Sequence, residues 1–355
     1  MTMANGLFWK NRRVLITGHT GFKGSWLSLW LELMQANVCG IALEPVTNPN
    51  LFSLVNANVQ THIVDVRNFQ KIHSIIHEFQ PEIIIHMAAQ PLVRYSYKNP
   101  IETYEINVMG AVHVLEAAKT CDSVKAIVNV TTDKCYENKE WIWGYREDEP
   151  MGGHDPYSNS KGCSELVTSA YRNSFYRQLN KGLASARAGN VIGGGDWSED
   201  RLIADIMKSI VEQKPVIIRN PHAIRPWQHV LEPLSGYLLL AEKLFHEPKK
   251  YAEGWNFGPN ADDVATVEDI VKKIFSQWMQ PNAGWKIEQD SNALHEANYL
   301  KLDIAKATSL LQWKPRLTID TTIQWICNWY QAWMNKESMR EFTLNQIKQY
   351  ENLGE

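Results

Sequence analysis

An α/β fold with a parallel sheet wound on both faces is predicted by three features of the sequence. A short apolar run, Val14, Leu15 and Ile16, feeds the glycine-rich turn Thr17-Gly18-His19-Thr20-Gly21-Phe22-Lys23-Gly24 and then a long helical pattern. Apolar strand patterns then alternate with helical ones through residue 130, as in successive βαβ units. Beyond a sixth strand pattern at 183–188 the alternation dissolves into glycine-rich and turn-rich sequence. The expected architecture is a Rossmann-type sheet in residues 1–189 with part of 236–284. A smaller C-terminal substrate-binding domain is expected in 190–235 and 285–340.

The first turn carries the strongest signal. A strand, a glycine turn and a helix N-terminus aim backbone N–H groups at one point at the positive end of the helix dipole, where pyrophosphate binds. The spacing GxxGxxG assigns Gly18 to the tight turn, Gly21 to close phosphate approach and Gly24 to helix-on-strand packing. His19, Phe22 and Lys23 belong to the same turn.

Residues 38–43 read as the second strand, closed by Glu44-Pro45. Glu44 stands where an acidic side chain accepts from the adenosine ribose hydroxyls, and a carboxylate there repels a 2′-phosphate, which favours NAD over NADP. A third strand is expected at 63–66, with Asp65 and Val66 at its end facing the adenine. The helix 68–79 brings His73 and His77 to one face, but no third ligand converges on them, so no metal is expected.

Residues 83–89 read as a fourth, buried strand ending in Ala88 and Ala89, small enough for a cofactor to lie against the sheet. A helical stretch at 97–120 leads to a fifth strand at 126–130, which opens into Thr131-Thr132-Asp133-Lys134-Cys135-Tyr136. The motifs at 18–24, 88–90 and 131–134 all fall at the carboxyl edge of the sheet, where ligands of such sheets collect.

A connection at 141–155 ends in Asp155, suited to cap a helix, and Pro156, suited to its first turn. Tyr157 and Lys161, four apart, then share one helical face. A phenol is a poor base at neutral pH. An ammonium one helical turn away, together with the positive nicotinamide of an oxidised cofactor, brings its pKa toward the working range. Thr132, just past the fifth strand, is placed to align the same substrate hydroxyl. Trp325, Trp329 and Trp333 repeat at helical spacing and read as packing.

Composition narrows the class. The 355 residues carry a net charge of −3, with no basic block of the kind that follows a phosphate backbone, so nucleic acid is not an expected partner. The N-terminus does not read as a signal peptide, and the most apolar helix, 22–34, holds Lys23, Ser25, Ser28 and Glu32, too polar for a membrane span. A soluble, cytoplasmic protein is expected. Five scattered cysteines form no CxxC pair, which argues against disulfides and structural zinc.

The glycine turn, Ala88-Ala89, the threonine at the strand end and YxxxK, in this order, resemble the extended short-chain dehydrogenase/reductase family in its nucleotide-sugar branch. The resemblance extends over essentially the whole chain. Within that branch the motifs His19 to Trp26, Leu43-Glu44-Pro45, Thr132 to Tyr136, Gly194 to Trp197 and Arg225 to Val230 point to a dehydratase with CDP-glucose as substrate and NAD as cofactor. The implied reaction oxidises carbon 4 through Tyr157, eliminates water across carbons 5 and 6, and returns the same hydride to carbon 6.

Related dehydratases acting on dTDP-glucose place an Asp-Glu pair after the threonine, whereas this sequence has Asp133-Lys134. Asp133 fits the acid, provided it is protonated in the complex; Lys134 is either a neutral base for the carbon 5 proton or a cation steadying the enolate. Arg219 and Arg225 suit the two phosphates, Asn190 resembles the family's substrate amide, and Asp196, Trp197 and Arg201 are assigned to the loop over the nucleotide. Helices near 97–120 and 156–179 resemble those that form a homodimer interface in the family. A 4-epimerase or reductase on the same scaffold, or an NAD-sensing protein without catalysis, are the alternatives.

Overall fold

Strands apolar on both faces need cover on both faces, and the first, second, fourth and fifth strand patterns assemble accordingly into a parallel sheet with helices on either side. The computed structural model describes residues 5–218, 220–260, 263, 265–278, 284–287 and 299–353. Its central sheet has seven strands in the spatial order Gly254–Asn256, Gly182–Arg187, Ala126–Val130, Ile83–His86, Arg13–Thr17, Asn37–Ala42 and Gln60–Ile63. Every pairing in it is parallel. Strand alternation sorts the core: Val14, Ile16, Ile83 and Ile85 face one layer with Trp26, Trp30 and Leu238. Leu15, Ile84 and Ile127 face the other with Val114 and Leu115.

The third strand is displaced from its expected place. Gln60–Ile63 pairs with Cys39 to Ala42, while Asp65 and Val66 lie beyond its end. The strand is at the sheet's edge and largely exposed, so its polar Gln60, Thr61 and His62 are held by backbone pairing rather than by burial. The helical stretch expected at 97–120 is segmented. Val93–Lys98 stops at Asn99, Pro100–Tyr104 restarts on its proline, and a π-helical turn, Glu105–Met109, precedes Gly110–Lys119.

Order reverses between the first and fourth strands, whose register pairs Val14 with Ile83 and Thr17 with His86. That reversal opens a crevice at the carboxyl edge. Three short ladders lie outside the main sheet. Val191–Ile192 pairs with Gln228–His229, Ile224–Arg225 with Ala265–Thr266, and Val216–Ile218 with Trp285–Ile287. The C-terminal helices Ile319–Met334 and Met339–Asn352 close the larger core, with Trp329 fully buried and Trp325 and Trp333 partly so. Among the described residues no helix is long and apolar enough to cross a membrane.

Candidate active site

At the crevice, Gly18 takes φ +79°, and a Cβ there would stand 2.9 Å from the backbone N of Ala88. A Cβ on Gly24 would stand 2.1 Å from the Gly18 carbonyl, so helix and turn close only around glycine. Gly21 caps the helix Phe22–Leu33 without a side-chain bond, and a Cβ added to it would meet only the Gly18 oxygen at 3.4 Å. Open space before an uncapped helix start fits a pyrophosphate. Thr17 ties the crevice together: its Oγ1 accepts from the N–H groups of Met87 and Ala88, both at 3.1 Å, and lies 2.6 Å from His86 Nδ1. Burial pushes that imidazole down to about 3, with the Lys161 charge adding to it, so His86 is neutral.

The other residues expected at the dinucleotide are spread along this edge. Glu44 is exposed just beyond the second strand, and Ala88 and Ala89 are partly exposed beyond the fourth. Asp65 is held by Arg67 at 2.6 Å, while the Val66 side chain is buried against Gly110. The His19 ring turns off the turn onto Gly40, with Nε2 3.1 Å from Thr61 Oγ1 and Phe52 packed edge-on. Burial pushes it down to about 4.

Phe22 and Lys23 face a cavity of about 390 Å³ that runs from the turn toward the short ladders. Thr132, Asp133, Lys134, Tyr157, Asn190, Asp196, Arg201 and Arg225 line the same cavity. Lys23 Nζ approaches the Tyr237 hydroxyl at 3.5 Å, and burial, reinforced by the charges of Lys161 and Arg201, pushes it down to about 7.

The helix Pro156–Tyr171 begins as its sequence predicts, with Asp155 accepting from the Ser158 N–H at 3.0 Å and proline in the first turn. Tyr157 and Lys161 are both buried on it. Burial pushes the phenol up to about 12 against a hydrogen bond with Thr132, so the fold by itself holds Tyr157 protonated at neutral pH. Lys161 Nζ donates to the Val130 carbonyl at 3.4 Å, and burial pushes it down to about 8 against the nearby Glu165 charge.

Asp133 is 1% exposed. Its Oδ1 accepts from Thr132 Oγ1 at 3.0 Å, while its Oδ2 is buried with no hydrogen-bond partner. Burial raises its pKa against Lys134, Thr132 and Arg225, and a Cβ on Gly189 would strike Oδ2 at 1.9 Å. A buried carboxyl with one orphan oxygen facing small residues is suited to hold a proton.

Arg201 pairs with Asp196 at 2.7 Å. Trp197 does not line the cavity; its ring packs on Tyr330 and Trp333, with centroids at 5.1 and 4.6 Å. A Cβ on Gly194 would lie 2.1 Å from Trp329, so the tryptophan helix fixes the loop that presents Asp196. Arg219 lies outside the described residues.

One network was not legible in the sequence. Asn107, on the π-helical turn, accepts from the Gln90 N–H at 2.9 Å and donates to the Gln90 carbonyl and to Ser160 Oγ, which donates to the Tyr157 carbonyl at 2.7 Å. The Tyr157 N–H donates to Ser96 Oγ at 3.1 Å. A polar Asn within an apolar helical pattern was the available signal.

The chain belongs to the GDP-mannose 4,6 dehydratase family, whose model matches residues 15–326. It is similar to the CDP-glucose 4,6-dehydratase of Salmonella typhimurium, 56% identical over 350 residues that cover 97% of each chain. The dTDP-glucose 4,6-dehydratase of Haemophilus influenzae is 25% identical over 342 residues, 89% of this chain and 97% of that protein. Among solved structures, dTDP-glucose 4,6-dehydratase from Bacillus anthracis in complex with NAD shares the fold. It has a TM-score of 0.74 and 21% identity, and the match covers 90% of this chain and 96% of that one.

Proposed function

We propose that the protein dehydrates CDP-D-glucose to CDP-4-keto-6-deoxy-D-glucose, a step of deoxysugar synthesis. The observation that carries the reading is Asp133, a buried, proton-holding carboxyl bonded to Thr132 in the cavity shared with Tyr157. Identity of 56% to the Salmonella enzyme supports the choice of substrate. The glycine turn with Ala88, Ala89, Glu44, Asp65 and Val66 would hold NAD, which when bound supplies a reversible acceptor for oxidation at carbon 4.

Tyr157, protonated in the fold by itself, would take the proton of the carbon 4 hydroxyl, which Thr132 aligns, as the phenolate that the positive nicotinamide of a bound cofactor and the charge of Arg201 favour. Asp133 protonates the hydroxyl leaving carbon 6. Lys134, beside it, takes the carbon 5 proton, or steadies the enolate while another group takes that proton. Arg225 binds phosphate oxygens, with Arg219 assigned to the same role, Asn190 binds the substrate, and Arg201, paired with Asp196, orders the loop over the nucleotide together with Trp197. The nucleotide-sugar side is assigned to residues 190–235 and 285–340, of which Asn190, Asp196, Arg201 and Arg225 line the cavity.

The exposed Ile101, Met109, Leu166 and Phe175 on the helical face of 93–119 and 156–176 support a homodimer, and the protein is assigned to the cytoplasm. Incubation with NAD and a panel of CDP-, dTDP-, GDP- and UDP-hexoses tests the reading. CDP-glucose gives a 4-keto-6-deoxy product, whereas an epimerase gives only another hexose. Lys134→Ala is expected to retain oxidation at carbon 4 and lose elimination; full turnover in that variant would remove Lys134 from the mechanism.

A further inference from the structure

Behind the cavity lies an ion pair that the reaction does not use. Glu165 and Arg187 meet at 2.9 Å with side chains 4% and 6% exposed. Glu165 Oε1 accepts from the Thr131 hydroxyl, and its Oε2 accepts from Ser185 Oγ at 2.5 Å and from Arg187. Arg187 Nη1 donates to the Tyr136 hydroxyl at 2.6 Å and to the Glu147 carbonyl at 3.0 Å. Its guanidinium also lies over the Tyr136 ring, 5.0 Å from the centroid, and the Tyr136 hydroxyl donates to Asn256 at 2.8 Å.

The arrangement has a particular topology. Thr131 immediately precedes the turn Thr132-Asp133-Lys134-Cys135 and Tyr136 immediately follows it, so the two halves of one ion pair grip the turn at both ends. Glu165 stands one helical turn beyond Lys161 and two beyond Tyr157 on the helix Pro156–Tyr171. One carboxylate therefore joins the helix bearing the phenol to the turn bearing Thr132 and Asp133.

We infer that Glu165 and Arg187 are positioning residues, a clamp that sets the register of Thr132 and Asp133 against Tyr157. Burying two charges costs more than packing apolar residues of the same volume, and a buried pair is suited to fixing geometry. The inference rests on the proposed reading of Thr132 and Asp133. It requires that loosening the clamp slow chemistry without weakening substrate binding, because none of its members provides a phosphate contact.

Removing Glu165 leaves Arg187 buried and unpaired, so Glu165→Gln risks failing to fold. Thr131→Val keeps the ion pair and the side-chain volume while deleting one grip, and Thr131→Ser restores the hydroxyl. Thr131→Val is expected to lower kcat about tenfold or more with KM changed less than about twofold, and Thr131→Ser to stay within about twofold of the parent. Tyr136→Phe, which removes the other grip, is expected to follow Thr131→Val.

Amide hydrogen exchange of the full chain reads the same clamp without turnover. Residues 132–136 exchange about tenfold faster in Thr131→Val and at the parent rate in Thr131→Ser. Unchanged kcat and unchanged exchange in a folded Thr131→Val protein would overturn the clamp. A parent protein that dehydrates no nucleotide hexose would instead overturn the functional reading, and exchange alone would then decide the clamp.

Discussion

The proposed acid role of Asp133 rests on the different surroundings of its two oxygens: one is bonded to Thr132, the other is buried without a partner beside Gly189. Burial favours the neutral acid, which can give up a proton when the substrate's hydroxyl leaves. Asp133→Asn keeps the shape and removes that proton, so turnover is expected to fall about 10²–10⁴-fold with substrate affinity changed by less than about threefold. Gly189→Ala puts a methyl 1.9 Å from Oδ2 and is expected to show the same loss by displacing the carboxyl while leaving Asp133 itself in the sequence. Steady-state kinetics with equilibrium substrate binding checks both; weakened binding at unchanged turnover would assign Asp133 to recognition. Tyr157 and Lys161 were legible as a helical pair, but their settings in the fold were not. Burial holds the phenol protonated, and the amine reaches a backbone carbonyl, neither of which spacing encodes.

At the element scale, legibility follows burial. The fifth strand falls at Ala126–Val130 as read, because its apolar run is continuous and buried. The edge strand Gln60–Ile63 falls three residues before its expected place at 63–66, because neighbouring backbone rather than an apolar pattern holds it. The segmented helices between Val93 and Lys119 hide their function in the π-helical turn that aims Asn107 at Gln90 and Ser160. These residues lie far apart in the chain, and no spacing rule links them. Elsewhere, Glu232 on the helix Leu231–His246 holds the C-terminal helices by accepting from the Arg316 and Leu317 N–H groups and the Tyr350 hydroxyl. Burial pushes it up to about 7. The folded state therefore binds this proton more tightly than the unfolded state, and the resulting stability is complete below the ordinary carboxylate range. It is lost as pH rises to about 7, on the order of 3 kcal/mol in all. Denaturant titrations from pH 4.5 to 8 are expected to show that decline in the parent and a flatter profile in Glu232→Gln; equal slopes would reject the assignment.

For the whole molecule, the sheet's reversal point and the short ladders meet at one cavity, and the C-terminal tryptophan helix packs behind the loop that presents Asp196 to it. The sheet supplies the glycine turn and the turn bearing Thr132, Asp133 and Lys134, while Asn190, Asp196, Arg201 and Arg225 line the same cavity. Such a cavity can keep one sugar bound through oxidation, elimination and reduction, so that what leaves carbon 4 returns to carbon 6 before release. CDP-glucose carrying deuterium at carbon 4, mixed with unlabelled substrate, tests this most directly. The account predicts product with the label at carbon 6 of the same molecule; label lost to water, exchanged between molecules or retained at carbon 4 would contradict it.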